Sequence, residues 1–136
     1  MAMKYLILLF IVMVSGCAHA KEIPKEIAVY CIIGEAEGEG DDGMMAVAMA
    51  LRNRGTTKGV YGCTSKRVKE RLYSSETLVQ AVKAWEESRG LNCTWADETQ
   101  CANSWYSKED IKKDPGIFNR CIFTGNLKNH YYFRCK

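Results

Sequence analysis

The sequence predicts an α+β domain, mainly helical, with a small β region near the C-terminus. Apolar residues recur at helical spacing between Ile23 and Ser88, broken by Gly-rich turns. After Gly90 the character changes to short aromatic runs (Trp95, Trp105-Tyr106, Ile117-Phe118, Ile122-Phe123, Tyr131 to Phe133) separated by turn residues. The 136 residues show no internal repeat and no low-complexity tract.

Residues 1–20 read as an export signal. Lys4 supplies the positive start, and Tyr5 to Val14 is an unbroken apolar run, too short to span a bilayer and right for a signal core. Two processing sites overlap after it. Val14-Ser15-Gly16-Cys17 fits a bacterial lipobox, which would lipidate Cys17, whereas Ala18-His19-Ala20 suits an ordinary signal peptidase. The Cys directly after Ser-Gly favours the first, and with it a place at the membrane surface of the cell envelope. Residues 21–136 then form one domain with a single core.

Pro24 suits the first turn of a helix from Ile23 to Glu35, with Ile27, Tyr30, Cys31 and Gly34 recurring on one face. Gly38, Gly40 and Gly43 allow a sharp turn, after which Asp41 or Asp42 can cap a second helix from Met44 to about Asn53. That helix is apolar nearly all round and is expected at the centre of the core. Gly55 to Cys63 reads as loop and lacks a phosphate-binding glycine motif. Ser65 to Leu72 is expected as a short helix with an exposed basic face, Lys66 to Arg71. Ser75 is the expected cap of a helix Thr77 to Ser88, with Leu78, Val82 and Trp85 inward and Gly90 as its stop. Thr124-Gly125-Asn126 is the expected turn of a C-terminal hairpin.

Composition narrows the function. The formal net charge of +3, to which Lys4 contributes one, is too small for a nucleic-acid partner. Six cysteines lie beyond the leader: Cys31, Cys63, Cys93, Cys101, Cys121 and Cys135. An even number in a small exported domain implies a disulfide framework, in which Cys31 ties the first helix to a later segment. A zinc site is disfavoured, because there is no C-x-x-C pair and His130 is the one histidine beyond the leader. Glu37 to Gly43 fails the EF-hand pattern, and a Cys-His protease would need a cysteine released from the framework. No cofactor is implied.

Chemistry concentrates between Ile32 and Arg54. Glu35, Glu37, Glu39, Asp41 and Asp42 are pressed between two apolar segments. A solvated acidic loop is the plain reading of such a run. Glu35 differs from the rest in standing at the end of a buried helix, where desolvation and neighbouring like charge favour the protonated acid that glycosidic cleavage requires.

The motif Gly34-Glu35-Ala36-Glu37-Gly38-Glu39, followed by Gly43, Ala46-Val47-Ala48 and Asn53-Arg54, resembles the signature of the SleB-type cell-wall hydrolases, the spore cortex-lytic enzymes and their relatives. Asn129-His130-Tyr131-Tyr132-Phe133, roughly 75 residues on, is similar to the family's terminal Gly-Asn-His-x-Phe block. Between them only Ala102 to Ser107 faintly matches the family's Gly-Ala-x-x-Tyr segment. Glu37 stands where the family has Arg, and Lys128 where it has Gly. The resemblance implies a lysozyme-like fold and lytic transglycosylation of peptidoglycan glycan strands, with Glu35 as the catalytic acid. Glu39, Asn53, Trp105, Tyr106 and His130 are the expected substrate-binding residues, with Trp95 a further ring that stacks on sugar if exposed. Glu37, Asp41 and Asp42 are expected to face solvent. The alternatives are a wall-binding or lysozyme-inhibitor-type lipoprotein without catalysis, and a structural envelope protein on a degenerate enzyme fold. Independently of these, a lone His130 more often serves as a structural hydrogen-bonder than as a catalyst.

Expressed in a bacterium with lipoprotein processing, the protein should carry a diacylglyceryl group on Cys17 and partition with membranes. An intact mass that begins at an unmodified Lys21 would show simple secretion instead.

Overall fold

The computed structural model describes residues 22–90 and 102–136. The leader, Trp95, Cys93 and Cys101 lie outside the described residues. The elements run α1 (Lys25–Ala36), α2 (Gly40–Arg54), a 3-10 turn (Tyr61–Thr64), α3 (Lys66–Lys69), α4 (Ser75–Glu87), β1 (Ser104–Ser107), α5 (Lys108–Lys113), α6 (Ile117–Arg120), β2 (Ile122–Leu127) and β3 (His130–Arg134). The result is an α+β domain with one antiparallel sheet near the C-terminus, in the order β1-β3-β2.

Pro24 precedes α1 as its cap residue. Ala28, Val29, Cys31, Ile32, Ile33 and Ala36 are buried, so most of this helix is core. The expected face is corrected: Ile27 is exposed and Tyr30 half-buried, because neighbours cover the Ala28/Ile32 side instead. α2 starts four residues before the expected Met44. Asp41 and Asp42 occupy its first turn, where they complement the helix dipole, and no side chain caps it. From Gly43 to Leu51 all but Met45 are buried, as a central helix requires.

α2 serves two apolar clusters. Met44, Val47, Ala48 and Leu51 join α1 and α4 around Trp85. On the other side Ala46 and Ala50, one turn apart, leave room for Tyr132 of β3 and Ala102 to lie directly on the helix. α4 is capped by Ser74, whose hydroxyl takes the Thr77 N–H at 3.0 Å, rather than by Ser75. Its buried stripe is accordingly Ala81, Ala84 and Trp85, while Leu78 stays at the surface. Arg52 stacks its guanidinium 3.7 Å from the centre of the Trp85 ring.

Cys31 is bonded to Cys63, and Cys121 to Cys135. The first bridge ties α1 to the 3-10 turn, and closing its loop contributes roughly 3–4 kcal/mol on chain-entropy reasoning. Beside it the two backbones touch. A Cβ on Gly34 would sit 1.9 Å from the Gly62 carbonyl oxygen, so both positions exclude any side chain.

The hairpin is also corrected. Thr124, Gly125 and Asn126 belong to β2, and the register shifts between Phe123 and Gly125, where the strand bulges. The turn falls on Lys128 and Asn129, with Lys128 at φ 54°. A short two-residue turn with positive φ suits the twist of antiparallel strands. β1 pairs with β3 so that Trp105 faces Tyr132 and Ser107 faces His130. Phe133, central and buried, packs edge-on against Tyr106 and Phe118.

Gly34→Ala should destabilise the domain by about 1–3 kcal/mol, the usual cost of forcing atoms into a packed contact. Denaturant unfolding would read this as a lower midpoint at unchanged slope. A midpoint equal to that of the parent would mean that the turn can move away from α1.

Candidate active site

A cleft of about 340 Å³ opens where α1, the 3-10 turn and β1 meet. Its floor carries Glu35, one residue from the end of α1 and half-buried. One wall is Gly59, Val60 and Tyr61, with the Tyr61 ring 86% exposed at the mouth. Ser104, Trp105 and Tyr106 of β1 form the other, continued by Asp110, Lys113 and Asp114. Arg54, the last residue of α2, closes the end.

The Glu35 carboxyl is held at both oxygens. The Gly62 N–H donates to Oε1 at 2.7 Å, and the Trp105 indole N–H to Oε2 at 2.8 Å. Gly62 must be glycine for this, since a Cβ there would approach Glu35 Oε1 to 2.6 Å. Each carboxyl oxygen keeps a second lone pair.

The five acids do not act as a cluster. Glu37 is corrected from solvent-facing to paired: its carboxylate meets Arg67 of α3 at 2.6 Å and is only 20% exposed. Asp41 and Asp42 are exposed, as expected. Glu39 is buried, and both of its oxygens lie 3.0 Å from Nδ1 of His130, also buried. Gly43 makes this possible, because a Cβ there would meet the Glu39 Cβ at 2.4 Å. The Glu39–His130 pair joins the start of α2 to β3 and does not line the cleft. Asn53 likewise points away, donating from Nδ2 to the Ala102 carbonyl at 2.9 Å and so fixing the approach to β1. Of the expected site residues the structure brings Glu35, Trp105 and Tyr106 together on the cleft, whereas Glu39 and His130 are buried, Asn53 is exposed, and none of these three lines it.

Tyr132 completes this inner layer. Its hydroxyl is buried with no hydrogen-bond partner among the described residues. Burial first, then the charges of Glu39 and Glu35, pushes it well above the ordinary tyrosine range. It therefore remains a neutral phenol.

The residues that sequence reasoning left without a role are Tyr61, Gly62, Arg54, Asp110 and Asp114. The Gly62 donor is backbone and leaves no trace in side-chain pattern. Asp110 did leave one: Ser107-Lys108-Glu109-Asp110 is a capping-box spacing, and Ser107 takes the Asp110 N–H while Asp110 takes the Ser107 N–H. Asp114 pairs with Arg120. Among the described residues, no three His, Cys, Asp or Glu side chains group as a metal site would need.

Comparison with family models, curated proteins and solved structures returned no match.

Hydrogen bonds from Ser107, first through the hydroxyl and then through the backbone, hold the Asp110 carboxyl below the ordinary carboxylate range. A carboxyl with a lowered folded value adds stability above its unfolded value, lost as pH falls through the folded one. Asp110→Ala should therefore melt below the parent at neutral pH, with the gap closing as the solution is acidified beneath the usual aspartate range. A gap constant from neutral to strongly acidic pH would mean that the charge of Asp110 contributes nothing.

Proposed function

We propose that this protein cleaves the glycan strands of peptidoglycan as a lytic transglycosylase of the SleB type, with Glu35 as its acid and base. The observation that carries this reading is the seat of Glu35: a carboxyl at the end of a buried helix, gripped by two N–H donors, on the floor of an open cleft with aromatic walls. The other cleft carboxylates are occupied locally, Asp110 by Ser107 and Asp114 by Arg120. One working carboxyl is what transglycosylation needs, whereas ordinary glycosidases use two.

The motif positions have physical reasons that favour the resemblance. Gly34 is required by the contact with Gly62, and Gly43 by the folded-down Glu39. Lys128 stands where the family has Gly and takes a positive φ of 54°, the conformation that glycine adopts most easily. A helical core whose acid faces a small sheet across a cleft is also the arrangement implied by a lysozyme-like fold. Export with a lipid anchor on Cys17 would put the enzyme beside its substrate in the envelope.

In the reaction Glu35 gives its proton to the bridging glycosidic oxygen, which leaves as a hydroxyl with the bond's electron pair. The sugar's own 6-hydroxyl then attacks the anomeric carbon, and the Glu35 carboxylate takes the proton released. The product is a 1,6-anhydro sugar, and the acid is regenerated. Gly62 and Trp105 stay bonded throughout and keep the carboxyl aimed. Trp105, Tyr106 and the exposed Tyr61 supply ring faces on which sugars stack.

Glu35→Gln keeps the shape but turns an NH₂ toward one of the two N–H donors, a cost of about 1–3 kcal/mol. The variant should stay folded yet lose at least ~10²–10⁴-fold in release of anhydro-muropeptides from purified peptidoglycan, read by mass spectrometry. Glu37→Gln should cost little. If the wild-type protein binds peptidoglycan and releases no fragment, the enzyme reading fails and a wall-binding role replaces it.

A further inference from the structure

The two faces of the sheet differ in what covers them. Tyr132 lies on α2, so its strand neighbours Tyr131 and Phe133 point the other way. With Tyr106, Phe123 and Phe118 of α6 they form a layer of five rings, whose contacts run from 5.2 to 6.2 Å between centres. Phe133 is sealed beneath. Phe118 and Phe123 are 47% and 43% exposed, and Ile122 at the start of β2 is 57% exposed. Large apolar side chains left open side by side mark a contact surface.

Charge indicates what that surface meets. From Ile117 to Lys136 the chain has four Lys or Arg and no Asp or Glu. Arg134 lies opposite Ile122 at one end of the β2–β3 pair, and Lys128 stands in the turn at the other. Both are exposed and in no ion pair among the described residues, whereas Arg120 is matched by Asp114. A second copy docked on this face would bring like charges together. Open rings between unmatched cations suit a partner with anions above an apolar layer, which is the make-up of an anionic bilayer.

We infer that the outer face of β2, β3 and α6 is a docking surface for anionic phospholipid bilayers. It is separate from any lipid on Cys17 and does not rest on the glycan-strand reading. The cations meet headgroup phosphates, and the rings enter the boundary with the acyl chains. A lipid on Cys17 would tether the domain, and this second contact orients it. Tyr106 belongs both to the ring layer and to the cleft wall, so docking here holds the cleft beside the bilayer.

The test uses the exported chain with Cys17→Ala, which blocks lipidation and leaves the Ala18-His19-Ala20 cleavage site. Co-sedimentation compares vesicles of phosphatidylcholine alone with vesicles that also contain phosphatidylglycerol. The anionic vesicles should be bound roughly tenfold or more tighter, with the preference shrinking as salt is raised. Lys128→Glu and Arg134→Glu should each weaken that binding roughly fivefold or more. Phe118→Ser and Phe123→Ser should do the same by withdrawing apolar area from the lipid. Should either of these fail to fold, the two charge variants, at exposed positions, still decide. Lys69→Glu makes the same change in net charge on α3, which packs on α1 and the 3-10 turn, and should leave binding unchanged. An equal loss in Lys69→Glu would reduce the effect to net charge and overturn the surface, as would equal affinity for the two vesicles. A dimer that Phe123→Ser disperses, with no vesicle binding, would assign the face to a second copy instead.

Discussion

The contact between Gly34 and Gly62, locked by the Cys31–Cys63 bridge, is the constraint on which the site depends. Two backbones pressed together leave no room for side chains. The Gly62 N–H therefore falls within 2.7 Å of a carboxyl projecting from the next residue of α1. Glu35 is not held by charge partners that solvent could replace. Its orientation follows from a steric contact and a covalent bond, both far stiffer than an exposed ion pair. A reacting carboxyl benefits from such fixing, since small errors in placement are costly to a proton transfer.

The sheet supplies the other half of the grip, and α2 places the sheet. Ala46 and Ala50 let Tyr132 lie against the helix, and the pairing of Trp105 with Tyr132 sets the indole on β1 over Glu35. The buried Glu39–His130 pair pins β3 to the start of α2. Removing one member of such a pair would leave the other unmatched in the interior, at a cost in stability.

Charge is sorted by the fold rather than by position in the sequence. Five acids within a short stretch end in four different settings: a cleft floor, an ion pair with Arg67, a buried pair with His130, and open solvent for Asp41 and Asp42. Their side chains leave a helix end, a turn and a new helix, and each of these points in a different direction.

The sequence by itself determined the α+β class, the helix pair around the acidic turn, the central place of α2 and the singular position of Glu35. These rest on local information: apolar periodicity, glycine placement and the boundary between a buried helix and a turn. Helix ends and the hairpin turn were misplaced by a few residues because caps and bulges depend on backbone geometry. Only the tertiary structure decided what holds Glu35, which residues form the cleft and which do not line it. The Gly62 donor lies 27 residues from Glu35 and the Trp105 donor 70. A hydrogen bond to a distant backbone N–H carries no residue signature, so only the packing of the 3-10 turn on α1, and of α1 and β1 on α2, brings those groups together.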